Sequence, residues 1–144
     1  MTIREPHPQG YHRNPADGPL RDFTETDPSW GWAAGQLIST NSDLNRFFTA
    51  LLAGRLLPAA QLAQRRTTVP AGTSGFRYGL GLTSRPLSCG GVYWGHGGGI
   101  AGYETRGGVT DDGRRAANVT VTSIPTEEAA VQHVKDAVDK ALSG

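Results

Sequence analysis

Tyr93-Trp94-Gly95-His96-Gly97-Gly98-Gly99-Ile100-Ala101-Gly102-Tyr103 is the stretch around which the rest of the chain is organised. Val92, Tyr93 and Trp94 lead in with residue types that fit a pleated, half-buried surface. Glycines within or just after a strand often mark a place where another backbone or a ligand comes very close. A histidine beside bare backbone suits a ligand-facing polar group. The plainer alternative is a strand running into a glycine-rich turn, with His96 merely hydrogen-bonded.

The elements on either side predict a layered domain. Thr40 is a good N-cap with Asp43 three residues on. Leu44, Phe47, Phe48, Leu51 and Leu52 then recur on one helical face, and Gly54 stops the pattern, which predicts a helix over 41–53. Pro58 suits a first helical position, and a short second helix is expected over 58–66. Phe76, Tyr78, Leu80 and Leu82 alternate with Arg77, Gly79 and Gly81, as in a half-buried strand over 76–82. Residues 83–91 read as a connection. Further strands are expected near 92–98, 102–109 and 115–123, the last two joined by the turn Thr110-Asp111-Asp112-Gly113. Pro125-Thr126-Glu127-Glu128 opens a final helix with acidic residues in its first turn and a stripe of Val131, Val134, Val138 and Leu142. The expected class is α+β: an N-terminal helical segment, an antiparallel sheet, and a C-terminal helix packed on that sheet.

Composition narrows the function classes. The 144 residues suffice for one domain with a real core, and 37% hydrophobic with 19% charged residues is a globular balance. A net charge of +1 gives no reason to expect nucleic acid or an anionic membrane as partner. No apolar run approaches a bilayer span, and no signal peptide is visible in the polar opening Met1-Thr2-Ile3-Arg4-Glu5-Pro6. Cys89 is the single cysteine, so no internal disulfide exists. His7, His12, His96 and His133 lack metal-ligand spacing, and no metal or other cofactor is expected.

Three motif readings can be tested on context. Gly97-Gly98-Gly99-Ile100-Ala101-Gly102 fits G-x-G-x-x-G, but a dinucleotide site needs a helix next, and Tyr103 to Val109 is glycine-broken and strand-like. His96-Gly97-Gly98-Gly99 fits the oxyanion motif of α/β-hydrolase esterases, but the G-x-S-x-G elbow that fold requires does not follow. No S-x-x-K tetrad occurs, and Tyr11-His12-Arg13-Asn14 has one residue too many for Y-x-N, so no activated nucleophile is visible.

Taken in order, several segments resemble the penicillin-recognising serine hydrolases, closest to the D-alanyl-D-alanine carboxypeptidase and class C β-lactamase branch. They are Ser29-Trp30, Ala34-Gly35, Ile38-Ser39-Thr40 with Asp43-Leu44 and Phe47, Leu51 to Leu57, Tyr78-Gly79-Leu80-Gly81-Leu82, and Gly95-His96 through Gly102-Tyr103. The resemblance runs from about residue 29 to the last helix and implies a partial β-lactamase/transpeptidase-like fold. It implies that His96-Gly97-Gly98 is the third family motif, with His96 giving polarity to the cleft and Gly98 letting substrate lie against the strand. The N–H of Gly99 would be one arm of an oxyanion hole. Gly97 departs from the family pattern, which has a Thr or Ser hydroxyl there. Trp30 matches a tryptophan that lines the cleft in relatives; a core aromatic is the alternative. Arg85 lies where relatives carry cationic residues; a solvated loop charge is the alternative favoured for an arginine.

The resemblance further implies that this is the C-terminal portion of such an enzyme. Residues 1–28, rich in proline and aperiodic, would be an extended loop continuing a missing N-terminal half, and residues 29–144 the C-terminal part of the domain. The whole enzyme would perform acyl transfer on a peptide or β-lactam-like substrate, outside the cell or in its envelope. This chain by itself would be inactive. The rival is a non-catalytic ligand-binding or assembly module derived from the same family.

Overall fold

The computed structural model describes residues 6–144. Its first element pair is a small antiparallel hairpin, β1 (Tyr11–Arg13) and β2 (Leu20–Asp22), where the sequence predicts an extended loop. The prolines that suppress a strand reading, Pro15 and Pro19, fall in the connection, where Gly18 donates its N–H to the Pro15 carbonyl at 2.8 Å. The hairpin is tied to the main sheet by the Tyr11 N–H, which donates to the Thr122 carbonyl at 2.7 Å. Pro28–Ala34 follows as a 3₁₀ segment capped by Asp27, whose carboxylate accepts from the Ser29 N–H at 2.9 Å.

Helix α1 (Asn41–Leu52) begins where the cap predicts: Thr40 Oγ1 accepts from the Asp43 N–H at 3.1 Å. Of its apolar stripe, Phe48 and Leu51 are buried and Phe47 is exposed. Helix α2 (Ala59–Arg66) follows, with Pro58 as its N-cap. Then come β3 (Val69–Pro70) and β4 (Arg77–Tyr78). The strand expected over 76–82 stops at Tyr78. Gly79 and Gly81 make a tight turn instead, Gly79 N–H bonding the Leu82 carbonyl at 2.8 Å with Gly81 at φ 64°. The chain therefore reverses, and β5 (Thr83–Pro86) pairs back on β4, although 83–91 reads as a connection in the sequence.

The remaining strands are β6 (Val92–Gly95), β7 (Gly98–Ile100), β8 (Tyr103–Thr110) and β9 (Ala116–Val121), and α3 (Glu128–Ser143) closes the chain. All pairings of the main sheet are antiparallel; β8 holds both β6 and β7 on one edge and β9 on the other. The strand expected over 92–98 is thus two strands with His96 and Gly97 between them. The α+β class stands, with 103–110 as strand and not helix.

Strand alternation sends side chains to two cores. Trp94 and Val109 pack with Leu82 against Phe48 and Leu51 of α1 and Leu62 of α2. Tyr93 faces the opposite way and packs with Leu87 against Val138 and Leu142 of α3. The sheet is therefore a middle layer with helices on both faces, and β8 is its centre. Ser88 fixes α3 from the side: its N–H donates to Asp139 Oδ1 at 2.9 Å and its hydroxyl to Oδ2.

Leu82 has 0% exposure, so Leu82→Ala is expected to destabilise by about 2–5 kcal/mol in chemical unfolding. A loss within ordinary surface scatter would place Leu82 outside the core. A second expectation concerns pH. The hydrogen bonds from Ser88 hold the Asp139 carboxyl below its ordinary value. A lowered folded-state value contributes stability above the ordinary carboxylate range and loses it as pH falls through the folded value. The stability gap between the natural chain and Asp139→Asn should therefore narrow on acidification from neutral pH; a gap indifferent to pH would contradict the assignment.

Candidate functional site

The ladder opens at one place along β8. Gly95 pairs with Gly108 and Gly98 with Thr105, leaving His96 and Gly97 opposite Arg106 and Gly107. Side chains are excluded from the pairing just before the opening: a Cβ on Gly95 would lie 2.1 Å from the Gly107 carbonyl oxygen. Thr83 Oγ1, buried, donates to the Gly95 carbonyl at 2.8 Å and anchors the end of β6. The imidazole of His96 is exposed and held at both nitrogens. Nδ1 contacts the Gly97 carbonyl at 2.5 Å and Nε2 contacts Tyr78 Oη at 2.7 Å. A carbonyl only accepts, so Nδ1 carries the proton. In the neutral ring Nε2 is then the acceptor, and the Tyr78 hydroxyl donates to it.

Beside this opening lies a small cavity of about 110 Å³. Tyr78, Thr83, His96 and Gly97 border it, with Phe76, Arg85, Tyr93, Arg106 and Gly107 completing the wall. The Arg85 guanidinium lies 4.0 Å from the centre of the Phe76 ring, a cation–π contact. Arg106 bonds Glu104 at 2.7 Å through both Nε and Nη2. Burial pushes the Arg85 guanidinium below its usual value, and the neighbouring Arg106 cation acts in the same direction. Burial raises the Tyr93 hydroxyl, a shift that the Arg85 cation opposes.

The structure brings together His96, Gly97 and Arg85 of the residues singled out in the sequence. Arg85 is a half-buried strand residue of β5 and not a solvated loop charge. Gly98 and Gly99 continue along β7, whose second edge pairs with nothing among the described residues. A Cβ on either would meet no atom within 4 Å, so the space over the faces of β7 is open as well. The two-residue turn Ala101-Gly102 makes Ile100 and Tyr103 the hydrogen-bonded pair, and alternation then directs the Gly99 N–H away from β8. Trp30 is 60% exposed on the 3₁₀ segment; it is neither a core aromatic nor part of the cavity wall.

Tyr78, Phe76 and Arg106 escape the sequence reading. Arg106 was within reach: a two-residue turn at 101–102 pairs 98 with 105 and sets 97 against 106. Tyr78 depends on the glycine turn at 79–82, which no alternation pattern reveals. Among the described residues no His, Cys, Asp and Glu cluster could hold a metal, and no helix is long and apolar enough to cross a membrane.

Comparison with known proteins gives a consistent answer. The family model described as Beta-lactamase matches residues 2–141. A D-stereospecific amidohydrolase from Streptomyces sp. superposes with a TM-score of 0.83 at 37% identity, over 95% of this chain and 40% of that one. A D-amino acid amidase from Ochrobactrum anthropi SV3, solved with L-phenylalanine amide, gives 0.73 at 28% identity, over 96% and 43%. The chain thus spans about two fifths of the length of these neighbours.

Tyr78→Phe removes the donor to Nε2 and should cost about 0.5–1.5 kcal/mol at most. Long-range proton–nitrogen NMR should show the Nδ1–H tautomer of His96 in the natural chain and a mixture in the variant. A dominant Nε2–H form in the natural chain would refute the assigned direction.

Proposed function

The chain belongs to the Beta-lactamase family, and on that premise we propose that it carries the substrate-facing strand of a serine-hydrolase acyl-transfer site. The open, side-chain-free edge at Gly98 and Gly99, next to a histidine held at both nitrogens, is the observation that carries the reading. A substrate backbone can lie against that edge because its backbone groups are unpaired, and the glycines leave the faces beside it free of side chains. The outward Gly99 N–H is aimed as an oxyanion donor, and one such donor is worth about 10²–10³ in kcat. His96 and Arg85 supply polarity and charge beside it, and the missing side chain of Gly97 admits the Arg106 guanidinium. Trp30, exposed on the 3₁₀ segment, is assigned to a further wall of the cleft.

Residues 29–144 are taken as the C-terminal part of the hydrolase domain. The serine and lysine of S-x-x-K, for which this sequence has no match, come from the part N-terminal to it. The serine oxygen attacks the substrate carbonyl, the amine leaves with a proton, and water releases the acyl group. Likeness to the D-stereospecific amidohydrolase supports an amide of a D-amino acid as substrate, ahead of a D-alanyl-D-alanine peptide or a β-lactam. Scaffold alone does not choose among these.

The test is ammonia release from D- and L-phenylalanine amide, by this chain alone and by a protein joining it to an S-x-x-K segment. The chain alone should be inactive and the joined protein should prefer the D form. In the joined protein His96→Ala should lower kcat/KM about 10²-fold. Hydrolysis by the chain alone, or full activity without His96, would overturn the reading.

A further inference from the structure

The hydrogen-bond chain at the ladder opening has a fixed direction, and its free end lies on Tyr78. It begins at the Gly97 carbonyl, which can only accept, so His96 Nδ1 donates to it at 2.5 Å. The neutral ring has one acceptor left, Nε2, and the Tyr78 hydroxyl donates to it at 2.7 Å. The two rings stand edge to face, at 86° with centroids 5.5 Å apart. A phenol carries one proton and two lone pairs. Tyr78 has committed its proton to His96, so its oxygen turns only acceptor capacity toward a ligand. Tyr78 is 38% exposed and borders the cavity beside the opening, so a ligand can reach it.

The other polar groups of that wall do not duplicate it. The Arg85 and Arg106 guanidiniums can only donate. Thr83 is buried, with its hydroxyl proton on the Gly95 carbonyl. Tyr93 is buried as well and packs toward α3 with Leu87, Val138 and Leu142.

We propose that Tyr78 is a specificity-determining residue: anchored through His96 to the Gly97 carbonyl, its oxygen accepts an N–H from the ligand and so selects a carboxamide over the matching ester. An ester presents oxygen lone pairs where the amide presents N–H, and two acceptors set face to face leave both unpaired. The proposal deepens the acyl-transfer reading by choosing amide over ester, and it rests on that reading for its catalytic meaning. The binding preference can be measured apart from turnover. His96 is the link that fixes the direction, because without it the Tyr78 hydroxyl is free to donate as well as to accept.

The experiment titrates this chain with N-acetyl-D-phenylalanine amide and with N-acetyl-D-phenylalanine methyl ester, followed by backbone amide NMR shifts. Both probes are uncharged and differ only at the terminal group. The amide should bind about threefold to tenfold more tightly, the worth of one neutral hydrogen bond. Tyr78→Phe keeps the ring and should erase the preference. His96→Ala keeps the phenol but frees its proton, and should lower the preference. The double variant should show no more preference than Tyr78→Phe alone. Equal binding of the two probes, binding of neither, tighter binding of the ester, a preference that survives Tyr78→Phe, or one untouched by His96→Ala would each overturn the proposal. A preference that follows Tyr78 without shifts at Gly98 and Gly99 upholds it and counts against the substrate-strand reading. Shifts at those glycines with a preference indifferent to Tyr78 do the reverse.

Discussion

The controlling constraint is the interruption of one strand ladder. β8 pairs continuously with β9 along one edge, but along the other it pairs with β6, loses the partner at His96 and Gly97, and regains it at β7. Backbone groups released from a ladder must find other partners or a ligand. Here the Gly97 carbonyl takes the His96 ring, and the ring takes Tyr78. Just before the opening, the missing Cβ atoms of a glycine pair let the strands close up: Gly95 under the Gly107 carbonyl, and Gly108 under the Trp94 carbonyl. The two cores hold this arrangement from above and below. Trp94 and Tyr93, adjacent in sequence, are locked to opposite faces. A shift of register by one residue would exchange those faces, so the position of the opening is fixed by the helices as firmly as by the strands.

The electrostatics of the opening follow from the same geometry. Arg106 and Glu104 lie two apart on β8 and so share a face, which lets a buried carboxylate meet a guanidinium without crossing the sheet. Removing charges from water is costly, and a buried pair is tolerable when each partner satisfies the other. The pair holds the Arg106 stem in place while its head reaches the border of the cavity. Arg85 reaches the same border from β5, stacked on an aromatic ring instead of paired with an acid. Two modes of holding a cation therefore converge on one cavity.

The sequence discloses the periodic parts well. Helix α1 and its Thr40 cap, the last helix, and the strands flanking Asp111-Asp112-Gly113 are all legible, because each rests on spacing within one segment. The family resemblance is carried by short motifs in order and agrees with the Beta-lactamase match. What fails is what glycine and proline hide. Gly79 and Gly81 continue an alternating pattern on paper, yet they turn the chain and convert the next residues into β5. Pro15 and Pro19 mask a hairpin because they occupy its connection. Arg85 and Tyr78 belong to the site through that unforeseen turn, since Tyr78 pairs with Thr83 and Arg85 with Tyr93. Arg106 differs: its register was implicit in Ala101-Gly102, but a chain of single-segment patterns does not compare positions across a turn.

An exposed strand edge is ordinarily a hazard, because unpaired backbone groups recruit other strands. β7 limits that hazard by being three residues long and by carrying two glycines, which leave little to stabilise a long pairing. The same two features admit a short extended ligand, whose backbone can approach closely but cannot extend far. At one end of β7 the ladder opening sets His96 and the Arg106 cation. At the other, the turn Ala101-Gly102 packs against Gly10, whose backbone a Cβ on Gly102 would approach to 3.1 Å. The edge is therefore bounded at both ends, chemically on one side and sterically on the other. On the proposed reading, a ligand that uses this edge is short, presents backbone-like groups in the middle, and places its polar end toward His96.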